Sequence, residues 1–292
     1  MIKVAIMGYG TIGSGVYEVL TGNRDKIAAN VGQEVQVKYI LDLRDFPGSP
    51  VEDKIVHDFQ VIADDPEVQI VVETMGGLNP AYPFVKTCLE AGKNVVTSNK
   101  ALVAAHGTEL LAIAREKQVN FQFEASVGGG IPIIRPLYEC LMGEQIQEIT
   151  GILNGTTNFI LTKMDKEGAS FDAVLKEAQE LGYAERNPEA DVEGYDTCRK
   201  IAILTAMATG KEVDFEDIQK NEDGAITELT VNLGKLSTDY TVVTKSFDAD
   251  IEMGDLAMSI SGLTKEHSWP ATFELNLSGI PTKDGGEMPT VE

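Results

Sequence analysis

The sequence predicts an α/β protein: an N-terminal Rossmann-type parallel sheet, then an α+β substrate domain, then a β-rich C-terminal segment. Three observations predict it. Over residues 1–124, apolar runs of strand length alternate with helix-period segments, as parallel βαβ units require. The glycine turn GYGTIG stands between the first of these runs and the first helical segment. Beyond about residue 218 the apolar pattern shifts to period two, which marks antiparallel strands.

Taken in order, residues 2–7 (IKVAIM) form the first strand, and SGVYEVLTGN the helix after the glycine turn. Residues 35–41 (VQVKYIL) are a second strand and 69–73 (QIVVE) a third, ending at Gly76 and Gly77. A helix over 83–91 is stopped by Gly92, because glycine tolerates the left-handed conformation that ends helices. Residues 94–97 are a fourth strand, 101–117 a helix and 119–124 a fifth strand. The glycine-rich SVGGGIPII then breaks the pattern. ITGILNGTTNFIL reads as a strand, a polar loop and a helix. Ser170 is placed to cap FDAVLKEAQELG, which Gly182 closes, and TCRKIAILTAMATG is a buried helix ended by Gly210. TELTVNL, YTVVTKSF, LAMSISGL and TFELNL predict a small antiparallel sheet, and TKDGGEMPTVE a frayed end. The expected domains are 1–133 for dinucleotide binding, 134–218 for substrate and catalysis, and 219–292 as the β-rich segment.

Composition narrows the function. The net charge of −22 disfavours nucleic acid and anionic membrane surfaces, since both need a basic face. A small anionic ligand would need a local cation, which makes individual lysines and arginines informative. The three cysteines show no metal-binding spacing, and no apolar run reaches transmembrane length. No leader pattern is visible at the start, so the expected compartment is the cytoplasm.

Gly8, Gly10 and Gly13 match G-x-G-x-x-G in the strand–turn–helix context that the dinucleotide fingerprint requires. The first permits the turn, the second lets backbone approach a pyrophosphate, and the third lets helix and strand pack closely. A tight turn that binds nothing is the alternative. At the end of the second strand, LDLRD offers two choices. Asp42 would accept bonds from a ribose diol, favouring NAD; Arg44 would pair with a 2′-phosphate, favouring NADP. A salt bridge between surface residues accounts for either one equally.

Lys100 follows the fourth strand, where open α/β sheets place ligand-contacting groups; a plain helix N-terminus is the alternative. The stretch GYAERNPEADVEGYDTCRK gathers five carboxylates (Glu185, Glu189, Asp191, Glu193 and Asp196) before Lys200. Asp196 and Lys200 are four apart at a helix start and share one face. Such a pair keeps an ammonium protonated and aimed, as a general acid must be, or it is merely structural. Glu185 is a candidate for holding a substrate ammonium. Glu189 and Glu193 read as solvated charges, Cys198 as packing, and His57, His106 and His267 receive no role.

Together GYGTIGSGV, VVETMGG, NVVTSNKALVA, FEASVGGGIPII, GILNGTTNFIL and GYAERNPEADVEGYDTCRKIAIL resemble homoserine dehydrogenase over residues 1 to about 218. That resemblance implies NAD- or NADP-dependent interconversion of L-homoserine and L-aspartate 4-semialdehyde, towards threonine, methionine and isoleucine, by a homodimer. It implies Lys200 as proton donor with Lys100 as its partner at the cofactor, and substrate binding by Glu185, Asp196 and Gly182. Tyr9, Thr11 and Ile12 would touch the cofactor. Glu124, with the carbonyls of Val127, Gly129 and Ile131, would hold a sodium ion. The sequence after 218 carries neither YTEGI nor a GxGAGxxPT-type stretch. A silent homologue that binds dinucleotide or a partner protein is therefore the second reading.

Overall fold

The computed structural model describes residues 1–141, 143–144, 146–184, 186–211 and 213, together with five strand segments between 218 and 274. It divides into two compact units, Met1–Pro136 and Leu137–Glu292.

The N-terminal unit is built on β1 (Ile2–Met7), β2 (Val35–Leu41), β3 (Ile55–Val56), β4 (Val68–Glu73), β5 (Asn94–Thr97) and β6 (Phe121–Gln122). They form one parallel sheet in the order β3-β2-β1-β4-β5-β6. Val4, Ala5, Ile6 and Met7 are all buried, as a central strand with both faces covered requires. The helices are α1 (Thr11–Gly22), α2 (Arg24–Val31), α3 (Gln60–Ala63), α4 (Ala81–Glu90) and α5 (Lys100–Lys117). The chain leaves β1 for β2 on one side and later places β4 on the other. This reversal opens a crevice at the carboxyl ends of β1 and β4, the usual ligand position in such sheets.

In this unit the helices α2 and α3 and the strand β3 go beyond the sequence reading. α2 buries no residue, so no apolar stripe announced it. β3 is two residues long, below the reach of any periodicity. The fifth strand, expected over 119–124, shrinks to Phe121–Gln122, and a 3₁₀ turn, Glu124–Ser126, replaces its end.

In the C-terminal unit come β7 (Ile146–Thr150), α6 (Gly155–Glu167), α7 (Phe171–Glu180), α8 (Glu189–Val192) and α9 (Tyr195–Thr209). Asn154 caps α6 by accepting from Thr157 N at 2.8 Å, and Gly168 ends it with φ +63°. Ser170 does hold the N-cap position of α7, but its side chain makes no capping bond. Val174 and Ala178 of α7 pack with Phe159 and Ile160 of α6. Gly194 and Gly210, both left-handed, bound α9.

The remaining strands are β8 (Ile218–Lys220), β9 (Glu228–Val231), β10 (Val242–Lys245), β11 (Ser259–Thr264) and β12 (His267–Glu274). They divide between two sheets where the sequence predicted one small antiparallel sheet. β8, β9 and β10 form one antiparallel sheet, while β11 and β12 join β7 in another, with Ile260 opposite Ile149. Alternation identifies a strand but does not name its partner.

Candidate active site

The glycine turn closes around close backbone contacts. Gly8 has φ +98°, a value that favours glycine. A Cβ on Gly13 would fall 2.0 Å from the Gly8 carbonyl oxygen, so α1 can start against β1 only with glycine there. A Cβ on Gly10 would meet nothing within 4 Å. Thr11 and Ile12 are exposed, Gly10 offers no capping side chain, and the first turn of α1 carries no acid. The first N–H groups of α1 therefore border open space, which fits a pyrophosphate. The Tyr9 ring lies among aromatic neighbours. It packs edge-on against Phe46 at 5.1 Å and Tyr17 at 6.2 Å, and burial raises its pKa.

Asp42 and Arg44 are paired with each other. Asp42 accepts from Tyr9 N at 2.8 Å, while Arg44 Nε and Nη2 reach its two carboxylate oxygens at 2.9 and 3.0 Å. Arg44 Nη2 also donates to the Tyr9 carbonyl at 3.1 Å. The guanidinium holds the Asp42 carboxyl well below the usual carboxylate range, against the opposing effect of burial. Arg44 itself is largely exposed, in reach of a ligand. His57, unassigned from sequence, donates Nδ1–H to the Asp42 carbonyl at 2.7 Å and lies 3.0 Å from Asp45. These two contacts raise its pKa, the carbonyl contact more than the carboxylate.

Lys100 is the first residue of α5, fixed by a buried network that sequence reading did not find. Glu73, fully buried at the end of β4, accepts from Met75 N at 2.7 Å and Gly76 N at 3.2 Å, and from the Thr97 hydroxyl at 2.6 Å. Thr97 Oγ1 accepts from Asn99 N at 2.9 Å. Asn99 then caps α5 through Leu102 N at 3.1 Å and donates to the Gly77 carbonyl at 2.6 Å. The loops after β4 and β5 are thus tied together beside the crevice. The only sequence sign was a carboxylate closing an otherwise apolar strand.

Both oxygens of Glu124 accept backbone N–H groups. Oε1 takes Ile133 N at 2.5 Å and Ile134 N at 2.8 Å, and Oε2 takes Arg135 N at 2.9 Å. Val127, Gly129 and Ile131 belong to the intervening turn, which the Ile131 N to Gly128 carbonyl bond of 3.0 Å closes. Three backbone amides thus engage this carboxylate.

In the C-terminal unit the predicted pair forms. Lys200 Nζ lies 2.9 Å from Asp196 Oδ2 and donates to the Leu153 carbonyl at 2.6 Å. Their side chains are 13% and 4% exposed. An ammonium has three donors, so these contacts leave one for a ligand oxygen. Asn154 Nδ2 donates to Asp196 Oδ2 at 3.0 Å and to Asp191 Oδ1 at 2.8 Å. Gly182, φ +78°, turns the chain back after α7, and Thr156 anchors the next residue through the Tyr183 carbonyl at 3.0 Å. Glu189 and Glu193 are exposed and Cys198 is buried, as expected. Glu185 lies outside the described residues. Sequence reading missed Asn154 and the Leu153 carbonyl, and named Asp191 only as one of five carboxylates. Asn154 carried a signal, an Asn directly before a helix, but only of its capping role.

Two family models match the chain: the homoserine dehydrogenase NAD-binding domain over residues 8–124, and the homoserine dehydrogenase domain over 132–254. A solved homoserine dehydrogenase from Thiobacillus denitrificans superposes with a TM-score of 0.74 at 33% identity, covering 94% of this chain and 68% of that one. The chain belongs to the homoserine dehydrogenase family. Homoserine dehydrogenases of Bacillus subtilis and Pseudomonas aeruginosa are 42% and 43% identical to it, over 80% and 79% of this chain and 55% and 54% of theirs. The chain spans about half the length of the curated relatives it matches. The homoserine dehydrogenase match continues past residue 218, where the resemblance read from the sequence ended.

Proposed function

We propose that this protein is an NAD(P)-dependent homoserine dehydrogenase, interconverting L-homoserine and L-aspartate 4-semialdehyde. The observation that carries the reading is the Lys200 ammonium, held by Asp196 and the Leu153 carbonyl with one donor remaining. In reduction, Lys200 Nζ gives its proton to the aldehyde oxygen as that oxygen gains charge; in oxidation, the amine takes the hydroxyl proton. The nicotinamide cofactor, when bound, supplies or accepts the hydride. Asp196 orients the lysine. Gly182 and Asp196, with Glu185 outside the described residues, recognise the amino-acid end of the substrate, whose ammonium suits carboxylates. The N-terminus of α1 takes the pyrophosphate, Arg44 a 2′-phosphate, and Lys100 contacts the cofactor from the start of α5.

A silent homologue has no chemical need for a buried lysine held in this way. The family resemblance supports a homodimer in the cytoplasm, with the N-terminal unit as cofactor domain and the C-terminal unit carrying substrate and catalysis. The test follows nicotinamide absorbance with L-homoserine, using NAD and NADP separately, and with 4-hydroxybutyrate, which lacks the ammonium. Turnover of homoserine and little of the analogue is expected. No turnover with either cofactor, from folded protein, would contradict the proposal.

A further inference from the structure

The dipeptide Leu153–Asn154 touches both members of the Lys200–Asp196 pair: its carbonyl holds the ammonium and its side-chain amide holds the carboxylate. We infer that Asn154 is a positioning residue for the proton donor, acting through Asp196. The inference deepens the dehydrogenase reading and rests on it.

Three features carry it. First, the orientation of the amide is fixed. Oδ1 accepts Thr157 N at 2.8 Å and lies 2.9 Å from Thr157 Oγ1. Since that oxygen caps α6, Nδ2 must be the atom that faces the acids. Second, Nδ2 has two hydrogens, and two carboxylates receive them, Asp191 and Asp196. Both donors are used, so the amide has no other stable orientation.

Third, the charge balance needs a neutral spacer. Two carboxylates meet at the Asn154 amide; Asp196 pairs with Lys200, and Asp191 has no cationic partner among the described residues. Without the amide the two acids would repel. With it, Asp196 is held on the same turn that supplies the Leu153 carbonyl. The ammonium then sits between an acceptor at the start of α6, the Leu153 carbonyl, and one at the start of α9, Asp196, which Asn154 ties together. Asn154 is itself buried, at 6% exposure, so water does not substitute for it.

The capping role and the positioning role separate by substitution. Asn154→Ser keeps a capping oxygen but is too short to bridge both acids, and Asn154→Asp keeps the cap while removing both donors. Two readouts are taken on wild type and both variants. One is turnover of L-homoserine, with kcat and KM for the cofactor determined separately. The other is trace labelling of lysines by an amine reagent, read by mass spectrometry, which needs no activity. Lys163 on α6, paired with Glu177 at 2.7 Å, serves as the internal standard for helix integrity.

The expected result is a fall in kcat of about 10- to 100-fold in both variants with cofactor KM unchanged. Lys200 labelling should rise several-fold in Asn154→Ser, while Lys163 labelling stays as in wild type. Wild-type kcat and unchanged Lys200 labelling in a folded Asn154→Ser protein would overturn the inference. If the wild type itself fails to turn over homoserine, the dehydrogenase reading falls, and the labelling still decides whether Asn154 holds the pair.

Discussion

Asp196 Oδ2 receives both Lys200 Nζ, at 2.9 Å, and Asn154 Nδ2, at 3.0 Å. One carboxylate oxygen therefore links the start of α9 to the start of α6. Asp196 is 3% exposed, so its charge is compensated by these contacts and not by solvent. Removing it should leave the Lys200 ammonium with a single carbonyl in a half-dry site. Asp196→Ala is expected to lower stability by about 3 kcal/mol, the usual consequence of breaking a buried pair, and to abolish turnover. Asp196→Asn should keep more of the stability while still losing activity. Denaturant unfolding and initial rates measure the two effects.

Gly13→Ala should disrupt the dinucleotide turn. The added Cβ falls 2.0 Å from the Gly8 oxygen, which is backbone and has no rotamer to change. The expected outcome is a loss of about 1–3 kcal/mol from overpacking, with cofactor binding lost beyond proportion to the stability. Fluorescence titration with reduced cofactor tests it. Gly10→Ala, which meets no protein atom, should fold as wild type and lose only cofactor affinity.

Arg44 should act on pH stability and on cofactor choice. The folded Asp42 carboxyl titrates lower than in the unfolded chain, chiefly because Arg44 donates to it. As pH falls, the unfolded chain takes up the proton first, so this stabilisation is present above about pH 4 and is lost below it. The difference in Tm between wild type and Arg44→Ala should accordingly be visible at neutral pH and shrink in acid. In cofactor titrations the variant should bind NADP about 10-fold more weakly and NAD nearly as before, since only NADP brings a phosphate to the guanidinium.

Glu124 should behave as a structural acceptor. Three backbone N–H groups, those of Ile133, Ile134 and Arg135, depend on its two oxygens. Glu124→Ala is expected to cost about 1–3 kcal/mol or more through those orphaned donors. The thermal midpoint of the wild type should be the same in sodium and in choline chloride at equal ionic strength. A midpoint that rises specifically with sodium would assign Glu124 the role of ion ligand instead.

Much of this was legible in the sequence. β1, β2, β5 and the C-terminal end of α9 fall where periodicity and glycines place them, because a covered parallel strand and a left-handed helix stop each leave a local imprint. The Lys200–Asp196 pair was legible for the same reason, since i,i+4 spacing fixes a shared face. What was not legible depends on contacts distant in the chain. Asn154 meets Asp196 across 42 residues, and Glu73 meets Thr97 across 24. Arg44 and Asp42 were each read as cofactor ligands or surface charges, and their mutual pairing decides how either meets a nucleotide. The partners of β11 were hidden because alternation is the same whichever strand lies alongside.

The most direct test of the account is the rate of nicotinamide reduction by L-homoserine with wild type and Lys200→Ala, both shown to be folded and to bind cofactor. The account predicts a fall in kcat of about 10²- to 10⁴-fold, the usual contribution of a positioned proton-transfer group, with cofactor affinity unchanged. A Lys200→Ala protein that turns over homoserine at the wild-type rate would contradict it.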